Sequence, residues 1–567
     1  MFNLAENIKT RLSRLKPSDK GNHDNDPLTN LKSATLWVEN LPAGDAFKSQ
    51  NAILIEIRHF NENLTQPTKE RLSVLMLLDE KSRDLQDTLV QQYLRNARMS
   101  RVMESQLWHG INNLYWEIAR GYHAYVLDFS RNTQIGQNAT LLPLITLRAI
   151  RAFGLLLKWR AIRYQQPPEN IWLRLHKLYR VAENEQFHQR KFRMYPQDQT
   201  DSTCESAYLR VLMLNLANSG TLYPRQLHMV DRWLENWTDK LRLEDQLDLN
   251  KHGFSVDLSA DYGPRRTRNP ADDKPMRYWS VATLSKQLDT TQHALREGSP
   301  PALLGLTEDS RVTESIELLG HLQHQWSAMA TREQRQAPRE RVKHMVEISN
   351  GFDNIISQIK TTGAQTVGLY GDNIPYMEAE DVAVYGFVTE RTRNYTTEMK
   401  KLRPEMTGSE SWIMQDESAT GYGAVVETRN LNWLRVGALV AAKPHETKTW
   451  RLGVVRRLFR LDEESSSVGI ETFAESPDIV MLSTSSDASD YTVNGFDSNG
   501  TPLPIACIWL ASGDDNSNAS LVIDPVHLQA QKIFEIHGKP GIKFIRLGNP
   551  IERSEGWVRV AIEPIDS

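Results

Sequence analysis

The spacing of apolar residues changes once along this chain, and that change constrains the fold more than any other feature. Between about residues 34 and 245, apolar residues recur every three or four positions, as in Leu72, Leu75 and Leu78, which is the period of amphipathic helices. After about residue 335, runs such as VKHMVEI, GYGAVVE and SVGIETF are rich in β-branched residues and predict strands. The sequence therefore predicts a multidomain α + β protein. An all-α N-terminal region, built as a helical bundle or stacked helix pairs, precedes an antiparallel β-barrel and a second small β subdomain.

Shifts in composition suggest where these regions begin and end. Gly, Pro and basic residues interrupt the helical pattern after residue 245, and a Ser- and Asp-rich stretch interrupts the strand pattern near residue 480. The predicted regions are a disordered tail (1–33), an all-α domain (34–245), a connecting region with a loop insertion and helices (246–334), the barrel (335–475) with an insertion at 351–408, a linker (476–500) and the small β subdomain (501–567).

The charge balance and the cysteine count exclude several classes of protein. The 567 residues include 67 Lys and Arg and 71 Asp and Glu, so the formal net charge is −4. A protein that coats a nucleic-acid polymer usually needs a strongly basic domain, which this balance argues against. The two cysteines, Cys204 and Cys507, are far apart in the sequence, so we expect neither a disulfide framework nor a thiolate zinc site.

No stretch has the pattern of a secretory signal or a membrane span. Basic residues interrupt the apolar side chains of residues 2–16, and Arg148, Arg151 and Lys158 interrupt the most apolar stretch, 141–159. We therefore expect a cytoplasmic chain without a transmembrane segment.

Common catalytic and metal-binding motifs do not occur in the sequence. HExxH, GxSxG and GxxxxGK[ST] are missing, and His321 and His324 have no further residues to complete a metal site. A basic cluster at Arg265, Arg266 and Arg268 could hold a phosphate, although a solvated loop is the more usual explanation. We therefore expect that the chain is not an enzyme and that it holds neither a metal nor a cofactor.

Two motifs occur in a characteristic order in the β region. Arg335 and Arg339 form an RxxxR just before the predicted strand VKHMVEI, and Asp416, Ser418 and Gly421 form a DxSxxG at the end of a later strand. With the strands that follow, this order resembles the PilZ domain, a bacterial β-barrel family that binds cyclic di-GMP through both motifs. The resemblance covers about residues 335–475. It implies a non-catalytic cyclic di-GMP receptor whose helical half acts on a partner.

The residue types in these motifs suit that ligand. Cyclic di-GMP is a dianion with two guanines, and the planar fork of arginine fits phosphate oxygens and the O6/N7 edge of guanine. Asp416 can accept hydrogen bonds from guanine N1–H and N2–H, Ser418 can donate or accept, and Gly421 allows a close turn of the backbone. Arg341 is a further candidate for a phosphate contact.

The spacing of the two motifs leaves a second alignment open. Arg339 and Asp416 are further apart than the motifs usually are in the family, which requires the insertion at 351–408. Arg391 and Arg393 lie closer to Asp416, but they form RxR instead of RxxxR.

Other functions also remain open at this point. The main alternative is a degenerate PilZ-like adaptor or scaffold that binds proteins only. RNA binding by the barrels is weaker, with Trp433 and Trp450 as the aromatic residues that could stack on bases. The resemblance implies a protein partner in motility, pilus or polysaccharide-export machinery, which the sequence does not identify.

Overall fold

A computed structural model describes the chain from residue 26 to residue 565, with internal gaps. The residues outside this description are 1–25, 64–67, 97–98, 132–135, 268–273, 308–309, 328–339, 364–388, 391–392, 394–408, 428–430, 432, 446, 448, 463, 475, 484–503, 512–518, 530, 540–541, 555 and 566–567. The chain forms two compact units, residues 1–159 with 172–208 and residues 160–171 with 209–567.

Eleven helices occur among the described residues, and all but the last precede the barrels, as the sequence predicts. They are α1 (Leu31–Glu39), α2 (Ala46–Glu62), α3 (Lys69–Arg95), α4 (Arg101–Arg131), α5 (Gly136–Ile162), α6 (Ile171–Asn184), α7 (Cys204–Leu216), α8 (Pro224–Trp237), α9 (Ala282–Arg296), α10 (Val312–Gln325) and α11 (Phe352–Gly363). Side-chain caps start several of them. Asp45 accepts a hydrogen bond from the Lys48 backbone N–H (3.0 Å) at the start of α2, and α8 begins with Pro224, whose missing N–H costs no helical hydrogen bond there.

A buried charged network lies in the core of the first unit. Arg148 of α5 is 2% exposed and donates to Glu80 Oε1 (2.6 Å), Tyr122 Oη (3.2 Å) and the Met194 carbonyl (2.9 Å). Tyr122 donates to Asp79 Oδ2 (2.8 Å), and burial raises the pKa of Asp79. Because a buried guanidinium is costly without partners, this network fixes the segment around Met194 against α3 and α4.

Residues Thr140–Ile162 of helix α5 form a stretch that is long and apolar enough to cross a membrane. In its most apolar window, 72% of the residues are buried inside the protein. Core helices commonly have this composition, and Arg148 lies within this one.

The second unit begins with helices and a small sheet before the barrels. Strands β1 (Phe254–Asp257), β2 (Arg265–Arg266) and β3 (Met276–Trp279) form an antiparallel sheet in the order β2-β1-β3. Trp279 Nε1 contacts the sulfur of Met213 at 3.4 Å, and Trp326 Nε1 donates to the Met213 carbonyl at 3.1 Å. These contacts pack the sheet and the end of α10 against α7.

The first barrel is a closed, antiparallel structure of six strands. Its strands are β4 (Glu340–Asn350), β5 (Ser409–Ser418), β6 (Gly421–Glu427), β7 (Leu439–Pro444), β8 (Arg451–Arg460) and β9 (Ser465–Ala474). They close in the order β4-β5-β6-β9-β8-β7. Alternate side chains fill the interior, among them Val346, Trp412, Met414, Tyr422 and Ile470. The predicted antiparallel barrel is confirmed.

The second barrel has the same strand order as the first. Its strands are β10 (Asp478–Ser483), β11 (Ile505–Leu510), β12 (Ser520–Ile523), β13 (Ile533–His537), β14 (Phe544–Arg553) and β15 (Val558–Ile565). They close in the order β10-β11-β12-β15-β14-β13, which repeats the order of the first barrel strand for strand.

Strand β10 corrects one sequence-based boundary. Residues 478–483 were predicted to belong to the linker 476–500, but they pair with β11 and β13 and close the second barrel. The strand DIVMLS is short and lies beside a long Ser- and Asp-rich run, so the composition of the region indicated a linker instead of a strand. Residues 484–500 of that predicted linker lie outside the described residues.

An apolar cluster joins the two barrels within the second unit. The first barrel contributes Leu439, Ala441, Trp450, Leu452 and Val454, the second contributes Ile508, Leu510, Val522 and Trp557, and α11 adds Ile355 and Ile356. Trp557 Nε1 and Ser554 Oγ both donate to the Gly437 carbonyl, each at 2.9 Å. Arg456 of β8 completes the junction with a bidentate pair to Glu552 of β14.

Candidate functional site

The DxSxxG residues lie together at one end of the first barrel. Asp416 and Ser418 are in the last three residues of β5, and Gly421 is the first residue of β6. Ser418 and Gly421 are register partners across a tight hairpin, and the Ser418 hydroxyl donates to the Gly421 carbonyl at 3.4 Å. A Cβ on Gly421 would lie 2.3 Å from the Ile470 carbonyl oxygen, so only glycine lets β6 pass this close to β9.

The strand that follows RxxxR in sequence begins beside the DxSxxG strand. Strand β4 starts at Glu340, whose Cα pairs with that of Glu417, and Arg341 pairs with Asp416. Arg341 is exposed, so it is open to solvent at this end of the barrel. The structure thus brings Arg341 together with the three DxSxxG residues.

Both arginines of the RxxxR motif fall outside the described part of the chain. Arg335 and Arg339 belong to the segment 328–339. Of the alternative pair, Arg391 also lies outside the description.

The carboxylate of Asp416 lies on the outer surface of the barrel. Its register partner on β6 is Gly423, which stands between Tyr422 and Ala424, two side chains of the barrel interior. Residues on either side of an inward-pointing residue face outward in a strand. A Cβ on Gly423 would lie 2.3 Å from Asp416 Oδ1, so the missing side chain gives the carboxylate its place.

Charged side chains close the same end of the barrel from the inside. Arg451 Nη1 donates to Tyr422 Oη at 2.9 Å and lies 3.4 Å from Glu417 Oε1, and His344 Nε2 lies 3.4 Å from Glu417 Oε2. Burial raises the pKa of Tyr422, so its phenol stays protonated as a hydrogen-bonding group. These pairs hold Glu417 in place between the two residues, Asp416 and Ser418, that face the candidate site.

A continuous row of register partners extends from this site across five strands. Arg341 pairs with Asp416, Asp416 with Gly423, Gly423 with Gly469, and Gly469 with Arg457. Both ends of the row are arginines, its second residue is an aspartate, and glycines fill the other two places.

Arg457 is the residue of this row that sequence reasoning missed. A Cβ on Gly469 would lie 3.4 Å from Arg457 Cβ and 3.6 Å from its Nε, so the arginine side chain lies over that glycine. The available signal was the pair of consecutive arginines in β8, because two consecutive polar residues interrupt the alternation of a strand and an extra residue in a bulge does the same. The register between β8 and β9 does shift at Arg456.

The basic cluster of the connecting region has structural contacts. The guanidinium of Arg265 stacks on the Tyr262 ring at 3.7 Å, and Arg266 donates to the carbonyls of Gln325 (2.9 Å) and Ser327 (3.3 Å). Arg268 lies outside the described residues. Arg266 is thus engaged in packing β2 against the end of α10.

The remaining sequence candidates also have packing partners. His321 Nε2 lies 2.9 Å from the Ala217 carbonyl. Trp433 stacks on Trp412, with ring centroids 5.7 Å apart, and Trp450 is 3% exposed in the cluster between the barrels. Within the described ranges, no three His, Cys, Asp or Glu side chains group as metal ligands would.

Comparison with known proteins gives matches in the helical half. A family described as the N-terminal domain of the cyclic-di-GMP receptor FimW matches residues 32–248. The cyclic-di-GMP receptor FimW of Pseudomonas aeruginosa is 24% identical over 216 residues, which are 38% of this chain and 35% of the relative. The chain therefore spans about a third of the length of that relative. The matched family segment ends before the first barrel strand.

Proposed function

We propose that this chain is a non-catalytic receptor for cyclic di-GMP and that its PilZ-like first barrel binds the nucleotide. The observation that carries the proposal is the register of β4 and β5, with Glu340 opposite Glu417 and Arg341 opposite Asp416. In the sequence, Arg339 precedes Glu340 directly and Arg335 precedes it by five positions.

The helical half supports the same ligand independently of the barrel. It resembles the N-terminal domain of a protein that is named a cyclic-di-GMP receptor. The barrel motifs and the helical match come from different parts of the chain, so neither argument depends on the other.

Each candidate residue has a role that its chemistry suits. Arg335, Arg339 and Arg341 supply cations and planar donors for the two phosphates and a guanine edge. Asp416 accepts from guanine N1–H and N2–H, and the Ser418 hydroxyl adds a hydrogen bond at the turn. Gly421 keeps the turn close to β9. Closure of the arginine segment over the ligand would then act as the switch.

The output of this receptor would be a protein contact. In the proposal the helical half docks on a protein of motility, pilus or polysaccharide-export machinery, and nucleotide binding changes that contact. No reaction is assigned to the chain, which is proposed to act in the cytoplasm as an effector.

Isothermal titration calorimetry of the full chain with cyclic di-GMP tests the proposal. We expect saturable binding by the wild type and a loss of at least about 100-fold in affinity for an Arg335→Ala/Arg339→Ala double variant, because two charge-assisted contacts disappear. Arg546→Ala is the matched control, since Arg546 is 41% exposed on the second barrel and pairs with Glu563. Absence of heat with the wild type would favour the protein-only adaptor, whereas equal affinity of the double variant would refute binding through Arg335 and Arg339.

A further inference from the structure

Helix α6 and the loop that follows it are basic, although the chain as a whole is acidic. Residues 171–193 contain six Lys and Arg side chains and two Glu side chains, so this segment has a formal net charge of +4, whereas the whole chain has −4. Lys177 and Arg180 are exposed, and Arg174 is half-buried. The positive charge is therefore local and lies at the surface, where it can complement a negatively charged partner.

Three of these cations lie along one side of α6. Arg174, Lys177 and Arg180 follow one another at intervals of three residues, and residues three apart are neighbours on a helix surface. Within the described ranges, none of the three has an ion pair with a carboxylate. Other cations of the same unit are paired, as Arg83 is with Asp198 at 2.9 Å. The described part of the chain therefore leaves the three charges on α6 without a counter-charge.

A tryptophan of α4 orients the first of the three cations. The Arg174 guanidinium lies over the Trp116 ring, 5.4 Å from its centroid. Stacking on an aromatic ring engages the face of a guanidinium and leaves the N–H donors at its edges for a carboxylate. The half-buried Trp116 thus holds Arg174 as a planar donor at the surface.

His123 of α4 lies beside the same cations. Burial, followed by the positive charges of Arg174 and Lys177, lowers the pKa of His123 to about 4, so its imidazole is neutral at pH 7. Its ring packs edge-on against Phe153 of α5, with centroids 5.9 Å apart. Helices α4 and α6 therefore border one surface, which we call the α6 surface and which consists of Trp116, His123, Arg174, Lys177 and Arg180.

We propose that the α6 surface binds an acidic segment of a partner protein. This inference rests on the proposed function, because it names the chemistry of the partner on which the helical half would act. Arginine and lysine side chains without a carboxylate of their own can bind Asp and Glu side chains, and Arg174 can hold one carboxylate through two parallel hydrogen bonds. Three cations close together also attract an acidic segment before contact.

Two other anionic partners fit this surface less well. Surfaces that bind a bilayer combine cations with apolar side chains that enter the lipid, and none of the exposed large apolar side chains of the described chain belongs to α6. A nucleic-acid polymer carries a dense row of phosphates, which the net charge of −4 of the whole chain repels. An acidic protein segment needs only the few cations that are present.

Fluorescence anisotropy with labelled poly-L-glutamate tests the inference on the full chain without nucleotide. We expect binding that weakens as salt is added, and a loss of at least about tenfold in affinity for Lys177→Glu/Arg180→Glu, because two attractive charges become repulsive. Lys32→Glu/Lys81→Glu is the matched control, since both lysines are exposed on helices of the same unit and the net charge changes equally. The control should change the affinity by less than about twofold.

A conservative variant tests the orientation of Arg174 separately from its charge. Arg174→Lys keeps the charge but loses the planar fork, so we expect it to weaken binding of poly-L-glutamate by about three- to tenfold. Thermal unfolding checks that every variant is folded. Affinity equal to that of the wild type would overturn the role of Arg174 as an oriented donor.

The outcomes distinguish this inference from the proposed function. Unchanged affinity of Lys177→Glu/Arg180→Glu would overturn the inference, and so would tighter binding of phosphatidylglycerol vesicles or duplex DNA than of poly-L-glutamate. If the wild type binds cyclic di-GMP but not poly-L-glutamate, only this inference is overturned. If it binds poly-L-glutamate through the α6 surface but no cyclic di-GMP, the receptor proposal is overturned and the site for an acidic segment is supported.

Discussion

At the DxSxxG end of the first barrel, the outward-facing side chains of Asp416 and Ser418 on β5 are partly exposed to solvent, whereas the second barrel buries the outer surface of β11 and β12. Strands β5 and β6 occupy the same places in the shared strand order as β11 and β12. In the first barrel the surface carries Asp416 and Gly423. In the second barrel it carries Ile508, Leu510 and Val522, which are at most 1% exposed in the cluster between the barrels.

This difference shows that one topology can carry two different outer surfaces. A surface with charged side chains offers a ligand hydrogen-bonding groups. The same surface with branched apolar side chains removes itself from water by packing on a neighbour. The second barrel is therefore proposed to have a structural role, and its docking surface leaves no room for a nucleotide there.

Of the variants considered, replacement of Trp557 should lower the stability of the two barrels most. Trp557 is 2% exposed in the cluster between the barrels and donates to the Gly437 carbonyl. We expect Trp557→Ala to lower the free energy of unfolding of the barrel pair by about 3–5 kcal/mol, because it leaves a large cavity and removes one of the two hydrogen bonds to the Gly437 carbonyl. Urea denaturation followed by circular dichroism measures this loss.

A matched surface variant separates the cluster from general effects of truncation. Leu461 is 50% exposed in the first barrel, so Leu461→Ala should change the free energy of unfolding by less than about 0.5 kcal/mol. Equal unfolding midpoints for Trp557→Ala and the wild type would contradict a structural role for the docking surface.

A smaller effect is expected from the ion pairs of Arg456, which lie at the same junction, and a still smaller one from Arg546 on the second barrel. Arg456 is 42% exposed and is bound by Glu471 and Glu552, and Arg546 is 41% exposed with Glu563 as its partner. Because solvent screens pairs with this exposure, Arg456→Ala should cost about 1 kcal/mol, and Arg546→Ala about half of that or less. Thermal unfolding of the two variants under identical conditions makes the comparison, and a larger loss for Arg546→Ala would refute it.

The smallest expected effect is the reaction of the native thiols. Cys204 lies in the first unit and Cys507 in the second barrel, and both side chains are fully buried. Burial raises the pKa of Cys507 to about 12 and also raises that of Cys204, so almost no thiolate forms at pH 8. Ellman's reagent should therefore not react with the native chain within minutes.

The same thiols then report on the two regions separately. In single variants, Cys204→Ser leaves Cys507 as the reporter of the second barrel, and Cys507→Ser leaves Cys204 as the reporter of the first unit. Combined with Trp557→Ala, labelling of Cys507 should begin at lower urea concentration while labelling of Cys204 stays unchanged. Fast labelling of either thiol without denaturant would contradict the buried positions.

The sequence was sufficient to predict most of the helices and strands and the first barrel, but not the closure of the second barrel. Periodicity predicted the helices before residue 335 and most strands after it. Strand β10 was missed because six residues beside a polar run carry too little pattern, and without it the second barrel could not be seen to close. The shared strand order depends on pairings between distant segments, which local spacing does not encode.

Only part of the candidate site could be predicted from the sequence. Some of its residues belong to a short motif, whereas the position of another depends on strand register. Asp416, Ser418 and Gly421 were predicted from one short motif, and the structure places all three at one turn. Arg457 stood in the quoted strand WRLGVVRRLFR, but its place depends on two strand registers and a bulge. The N-terminal match was also not predicted, since the helical region offered no motif.

The apolar surface of the second barrel also limits how the chain can be divided. A truncation after β9 would remove Ile508, Leu510 and Val522 and expose the side chains of Trp450, Leu452 and Val454 that they cover. Such a fragment would be prone to aggregation even though its six strands are complete. The two barrels therefore have to be kept together in any piece that is made for expression, crystallisation or domain exchange.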